Sequence, residues 1–394
     1  MNPRELLSLV RYEPIDNYPC SPDQIPCVET SDSVRLCKNP VVSVCMITYN
    51  HEPYIREAIE SVMAQQTDFE FELVIGEDCS SDRTREICLE YQRKYPDKIR
   101  VLWAHVNVYK SGGNGRRVRA RCRGEYIAFC EGDDYWCDPR KLQRQVELMR
   151  NNPRVTTIFT RARVYLQEQQ TFRDHVYDDC HRGLYSGMQL FRELSLVRMF
   201  GKERFDPELI RTPTAMIRKS VRESSEREYE IFSWRLRLSD TSQWLACALK
   251  GDVYFMPETT AVYRKHSGGV THYDYAPLMR DATVVKMYFL LMAGASFNLL
   301  CDYFRDEIFD NALKMLVAMT SCAQRSYYRK LCCNRVVKDA FRGCSRWPYR
   351  LLLWHGVLTT RLYVFLLHFF IRIPRRHVAS ECVIVNSVMG VSCE

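Results

Sequence analysis

The segment Tyr126-Ile127-Ala128-Phe129-Cys130-Glu131-Gly132-Asp133-Asp134-Tyr135-Trp136 constrains this chain more than any other. A row of apolar, β-favouring residues describes a strand buried on both faces, and it runs directly into clustered carboxylates and a glycine. Packed carboxylates repel one another and resist desolvation, so a positive group has to stand among them: a hard divalent cation, an arginine or a helix N-terminus. Asp138-Pro139 then has the form of an N-cap with proline at the first helical position, and Leu142, Val146 and Met149 recur at helical spacing. Strand, acidic turn and helix together form the place where open α/β sheets bind ligands. An acidic surface loop that merely caps a helix is the plainer alternative.

Earlier residues repeat the unit. Val41-Val42-Ser43-Val44-Cys45-Met46-Ile47-Thr48-Tyr49-Asn50 is a buried strand ending in polar residues, and the helix after it carries Ile55, Ile59, Val62 and Met63 on one face. Phe71-Glu72-Leu73-Val74-Ile75-Gly76 is a second strand, ending in Glu77-Asp78-Cys79-Ser80-Ser81-Asp82. There Ser81 or Asp82 can cap a helix faced by Ile87, Cys88 and Tyr91. Ile99-Arg100-Val101-Leu102-Trp103 is a third. Strands alternating with helices predict an α/β fold, a doubly wound and mostly parallel sheet with right-handed crossovers. The acid at Glu77-Asp78 and at Glu131, Asp133 and Asp134 then falls on one carboxyl edge.

Ser111-Gly112-Gly113-Asn114-Gly115-Arg116-Arg117-Val118-Arg119-Ala120-Arg121-Cys122-Arg123 reads as a glycine-rich turn entering an arginine-rich helix, able to offer N–H groups and guanidinium forks to phosphates. A solvated helix face is the competing reading; neither a Walker loop nor a dinucleotide fingerprint is present. Residues 155–164 read as a strand, and Thr212-Pro213-Thr214-Ala215-Met216-Ile217-Arg218 as a strand near a pocket. Ser239-Asp240-Thr241-Ser242-Gln243-Trp244-Leu245 opens a helix with Asp240 in its first turn. Tyr254-Phe255-Met256 and Thr260-Ala261-Val262-Tyr263-Arg264 are two further strands, leading into Lys265-His266-Ser267-Gly268-Gly269.

This pattern divides the chain into an extended or partly disordered arm (residues 1–40), a domain over residues 41–275 with halves 41–152 and 153–275, and a helical C-terminal extension (276–394). The net charge of +8 belongs to that extension, since residues 322–376 carry twelve Lys or Arg against one acid, Asp339. Arg350, Arg361, Arg372 and His368 lie within about 40° of one another on a helix, a narrow basic stripe on an apolar surface. Arg361 interrupts what would otherwise be a spanning run of about 20 residues. Residues 346–376 are therefore expected to lie in the plane of an anionic membrane surface, or else to dock on the protein with their arginine tips in water. No cationic n-region with an apolar run opens the chain, which points to a cytoplasmic location, peripheral on the inner face of the membrane. The eighteen cysteines are dispersed and read as free thiols. Cysteines and histidines fall in no zinc-ligand spacing. Nucleic acid is not expected as a partner.

Taken together, these motifs resemble the inverting family 2 glycosyltransferases of GT-A fold, over about residues 40–270. The resemblance rests on Ile47-Thr48-Tyr49-Asn50-His51-Glu52, on Glu77 to Thr84, on Gly124-Glu125-Tyr126-Ile127, on Glu131 to Trp136 with Asp138-Pro139 and Lys141-Leu142, and on Ser239-Asp240 before Tyr263-Arg264-Lys265-His266. It implies a nucleotide-sugar donor, UDP-linked, and a glycan or lipid-linked acceptor in cell-surface polysaccharide or glycan assembly. It also implies a divalent metal, Mg²⁺ or Mn²⁺. By the same resemblance Thr48 and Tyr49 line the base, Asp78 holds its imide edge, and Asp134 ligates the metal with Asp133 and Glu131. Asp240 is the general base, and His266 stands in a loop over the diphosphate. Asn50, Glu52, Asn114 and Arg116 complete the expected donor contacts. The chain departs from the family at Glu77-Asp78-Cys79, where Asp-Asp-Gly is frequent, and at Glu131, where aspartate is.

The chemistry of the residues is consistent with that expectation. A departing nucleoside diphosphate needs its charge stabilised, and an acceptor hydroxyl needs a base. A nucleotidyltransferase would place a glycine-rich phosphate loop directly after the first strand, where Thr48-Tyr49-Asn50-His51 stands instead. A catalytically silent carbohydrate-binding or membrane scaffold would have no use for the acids at 78, 133, 134 and 240.

Overall fold

The computed structural model describes residues 27–108, 113–173, 183–187, 210–224 and 239–269, all within one compact unit spanning Tyr12–Tyr273. The strands are β1 (Val28–Thr30), β2 (Val42–Thr48), β3 (Phe71–Glu77), β4 (Ile99–Trp103), β5 (Tyr126–Phe129), β6 (Tyr135–Trp136), β7 (Val155–Leu166), β8 (Thr171–Arg173), β9 (Gly183–Tyr185), β10 (Met216–Arg218) and β11 (Asp252–Lys265). The helices are α1 (Ile55–Met63), α2 (Thr84–Lys94), α3 (Gly113–Arg121), α4 (Lys141–Asn151), α5 (Lys219–Ser224) and α6 (Ser239–Ala248). One sheet runs in the order β1-β4-β3-β2-β5-β10-β7-β11-β6, with β8 on β7 and β9 on β11. Its strands β4, β3, β2 and β5 are mutually parallel, as are β7 and β11. Antiparallel pairings enter through the short strands β1, β6, β8, β9 and β10.

Alternation along each strand feeds two cores. Val42, Val44 and Met46 of β2 pack with Ile55, Ile59, Val62, Ile87, Leu142 and Val146, so α1, α2 and α4 cover one face. Cys45 of β2, Val74 of β3 and Phe129 of β5 pack with Val118, Trp244 and Cys247, so α3 and α6 cover the other. The sheet is doubly wound as expected, because strands this apolar need cover on both sides. Each fully buried aliphatic side chain contributes roughly 1.5–3 kcal/mol.

Three local expectations are corrected. Helix α4 begins at Lys141, with Arg140 as its cap residue; Asp138 instead closes the preceding turn, its Oδ1 accepting from the Arg140 N–H at 2.9 Å. The segment at 212–218 is a 3₁₀ turn, Thr212–Thr214, before β10. The two strands expected between 254 and 264 are one, β11, whose register shifts between Phe255 and Thr259 absorb the proline that reads as a break. Within the expected arm, β1 pairs with β4, and Glu29 takes Nε of Arg100 at 2.8 Å. Among the described residues no helix is long and apolar enough to cross a membrane, and Cys27, Cys37, Cys45, Cys79, Cys88, Cys122, Cys130, Cys137 and Cys247 stand outside any disulfide. The basic helix expected at 346–376 lies outside the described residues.

Candidate active site

Because β2, β3 and β5 are parallel, their carboxyl ends share one edge, and the loops leaving them build the site. Loops 49–54 and 78–83 are stitched to each other. Asn50 takes a left-handed φ of 52°, its Oδ1 accepting from the Ser81 N–H at 2.8 Å. Glu52 donates its N–H to Asp82 at 3.0 Å and accepts the Arg83 N–H on Oε2 at 3.1 Å. Asp82 Oδ1 also takes the Thr84 N–H at the start of α2. Asn50 and Glu52 are thereby engaged in shaping the loop pair.

Asp78 lies buried just past β3, its Oδ1 accepting from the Val108 N–H at 3.0 Å and facing Nη2 of Arg117 at 3.4 Å. Thr48 ends β2 with its hydroxyl buried and, among the described residues, without a partner, while Tyr49 is exposed. Asn114 turns its Nδ2 to the Gly76 carbonyl at 2.8 Å. Arg116 is half-buried in α3. The solvated face open to the arginine run does not form: Arg117 and Arg119 are buried, Arg121 meets Glu29, and Arg123 meets the wholly buried Glu72.

The acidic turn sends its three carboxylates in different directions. Gly132 packs against the end of β2, where an added Cβ would lie 2.5 Å from Thr48 Oγ1. Glu131 lines a cavity of about 50 Å³ with Arg119, Phe129, Gln243 and Trp244, on the α6 side of the sheet; its Oε2 is buried without a partner. Asp134 accepts the Arg264 N–H at 2.8 Å and so ties the turn to β11. Asp133 faces two imidazoles, His266 Nε2 at 3.1 Å and His51 Nε2 at 3.7 Å from its Oδ2. Arg264 braces the assembly, donating Nε to the Asp133 carbonyl, Nη1 to Gln167 and Nη2 to Glu57. Asp240 is in the first turn of α6; its side chain lies outside what is described.

Residues 43–223 match the family model described as glycosyl transferase family 2. This stretch of the chain belongs to that family. An uncharacterized protein of Mycobacterium tuberculosis is 32% identical over 235 residues, 59% of this chain. The chain thus spans 61% of that relative's length. A Bacillus subtilis protein named as a teichuronic acid biosynthesis glycosyltransferase, TuaG, is 38% identical over 112 residues, 28% of this chain and 42% of its own. Among solved structures, TarS of S. aureus in complex with UDP-GlcNAc matches with a TM-score of 0.56 at 16% identity, over 80% of this chain and 86% of that one. At that identity the likeness is one of fold.

Electrostatics separate the acids of this turn. Burial, with Asp133 and Asp134 as neighbours, pushes Glu131 well above the usual carboxylate range, and burial beside Asp133 does the same to Asp134. Burial also raises Asp133, but the His266 hydrogen bond and the two imidazoles outweigh it and hold this carboxyl below its ordinary value. Burial lowers His51, with His266 adding to the effect against Asp133. Asp133 is therefore the acid best held as a carboxylate. His51 is the residue that the sequence reading passes over: it sits three positions after β2, on the same carboxyl edge as Asp133, and only the folded sheet brings it beside His266.

Proposed function

We propose that residues 41–275 form a glycosyltransferase that moves a sugar from a UDP-linked donor to a hydroxyl of a glycan or lipid-linked acceptor with inversion, in polysaccharide or glycan assembly. The observation that carries this reading is the placement of Asp133, flanked by imidazoles, on the carboxyl edge of a parallel sheet inside the family 2 stretch. Thr48 and Tyr49 contact the base and Asp78 its imide edge. A buried hydroxyl without a partner at Thr48 suits that role, because an unmet buried donor is costly until a ligand meets it. Arg116 is the phosphate contact.

The donor set of Asp133 and His266 fits a divalent cation, Mn²⁺ or Mg²⁺, which when bound supplies Lewis-acid stabilisation of the diphosphate. Asp133 offers the charged ligand and His266 an imidazole. Asp134 positions β11 through the Arg264 N–H, and Glu131 faces the α6 side, where it orients substrate. Asp240 accepts the proton of the acceptor hydroxyl. Proximity to that hydroxyl supplies its rate contribution. Residues 346–376 hold the enzyme at the inner face of an anionic membrane.

The test measures nucleoside diphosphate release from a panel of nucleotide sugars with an acceptor. Asp240→Asn is expected to lower turnover roughly 10²–10⁴-fold while leaving UDP affinity by calorimetry little changed. Equal turnover in wild type and variant would remove Asp240 from the mechanism.

A further inference from the structure

Among the described residues the His51 imidazole makes no hydrogen bond, in a setting where imidazoles ordinarily make two. Its Nδ1 is buried without a partner, and its Nε2 stands 3.7 Å from Asp133 Oδ2, beyond hydrogen-bond range. Only 15% of the side chain is accessible. Its backbone N–H is fixed on Thr84 Oγ1 at 2.9 Å, and its ring lies edge-on to that of His266 with centroids 6.0 Å apart. Tyr54 packs against both rings, its centroid 4.7 Å from that of His266 and 6.3 Å from that of His51. A ring held this firmly, aimed at a carboxylate it does not bond, has the features of a ligand awaiting an ion.

The distances allow one. Two atoms that each lie about 2.1 Å from a common ion stand no more than about 4.2 Å apart. The separations from Asp133 Oδ2, 3.1 Å to His266 and 3.7 Å to His51, already satisfy that limit. All three ligand atoms lie within 4.8 Å of one another, so only a small closing movement of one ring is needed. The Gly269 N–H bonds the His266 carbonyl at 3.0 Å, a turn that fixes the end of β11 beside the acidic turn.

We infer that His51 is a third protein ligand of the metal, so that Asp133, His266 and His51 form a two-imidazole, one-carboxylate site that takes a transition-series cation without nucleotide present. This rests on the functional reading above and deepens it in two respects. A site with one carboxylate relies on substrate phosphates to retain a hard cation, whereas three protein ligands retain one in the empty enzyme. Two nitrogen ligands also favour Mn²⁺ and Co²⁺ over Mg²⁺, which prefers oxygen.

The experiment uses the full chain, stripped with chelator and titrated with MnCl₂ without nucleotide, free Mn²⁺ being read from its solution EPR signal. One Mn²⁺ per chain is expected, displaced by Co²⁺ far more readily than by Mg²⁺. His51→Gln should weaken Mn²⁺ binding roughly tenfold or more. His51→Asp should restore binding and shift preference toward Mg²⁺, which a merely structural role for His51 would not do. Thermal melting of each variant separates loss of the ligand from loss of the fold. Unchanged Mn²⁺ affinity in a folded His51→Gln variant overturns the inference, as does Mn²⁺ binding that appears only after UDP is added. In both of those outcomes UDP-dependent binding that is lost in Asp133→Asn leaves the glycosyltransferase reading standing. Nucleotide-free binding without any nucleotide-sugar turnover refutes that reading and leaves the three-ligand site intact.

Discussion

Replacing Lys141 with methionine should make the protein more stable at neutral pH, although it removes hydrogen bonds from the core. Lys141 opens α4 with no accessible surface, donating to Gln145 Oε1 at 2.7 Å and the Thr214 carbonyl at 3.3 Å, and lying 4.7 Å from the Trp136 ring centre. Burial takes its amine from 10.5 down to about 7. At about 1.4 kcal/mol per pH unit, the protonated amine is on the order of 5 kcal/mol less favourable in the folded chain than in the unfolded one. The sign follows from proton counting. Below pH 7 both states hold the proton and the cost is present in full. Between about 7 and 10.5 the unfolded state holds a proton that the folded state lacks, so stability rises with pH. Methionine removes this dependence and forfeits the bond to Gln145, about 1 kcal/mol; the Thr214 carbonyl keeps Gln145 Nε2 at 3.0 Å. Urea unfolding of both proteins at pH 6.5, 7.5 and 8.5 should show the variant ahead by about 3–4 kcal/mol at the lowest pH, the gap closing by about 2 kcal/mol at the highest. Taking the difference between the two proteins matters, because burial holds Cys88 and Cys130 far above the ordinary thiol range and both chains lose stability as unfolded thiols ionise. A gap independent of pH, or a wild type more stable than the variant at pH 6.5, would refute the reasoning.

Two further substitutions test the frame around the site. Gly124→Ala would place a Cβ 2.5 Å from the Ser43 backbone N and 2.9 Å from the Val41 carbonyl, neither of which can yield, so loss of soluble folded protein on expression is expected. Glu72 is wholly buried between Arg100 and Arg123; Glu72→Gln should cost about 3–5 kcal/mol in urea unfolding by leaving two guanidinium groups underpaired. Burial raises the Glu72 carboxyl, but the bonds from Arg123 and Ser43 prevail and hold it low. Its contribution is thus present above the ordinary carboxylate pKa and lost as pH falls through the lower folded value, and the variant should show a smaller fall in stability on acidification.

The strands β2 to β5 are legible in sequence because each buries both faces, and an unbroken apolar run of that kind admits few other structures. The carboxyl edge follows from their parallel order, which is why sequence reading alone places Asp78 and Asp133 on one edge. What sequence does not convey is direction. Glu131, Asp133 and Asp134 read as one acidic cluster, yet the turn aims them at a cavity beside α6, at two imidazoles and at the β11 backbone respectively. Likewise the five arginines from 116 to 123 read as one basic face, but Arg117, Arg121 and Arg123 meet carboxylates at positions 78, 29 and 72. The pairing of Asp133 with His266 spans 133 residues and depends on where β11 crosses the sheet.

Strand β10 has a consequence for how such a protein can change. It runs against both neighbours, with Met216 paired to Ala128 and to Ile158. The chain therefore enters β10 from the edge where β5 ends, and residues 210–215 pass beside the acidic turn, the Pro213 carbonyl receiving Trp136 Nε1 at 2.9 Å. Residues 210–215 thus reach that edge without passing through the parallel strands. The connection between β9 and β10 can change in length or sequence while the pairing of β2, β3 and β5 stays as it is. The fold thus separates what the parallel strands hold in place from what is brought up beside them, with β10 as the seam.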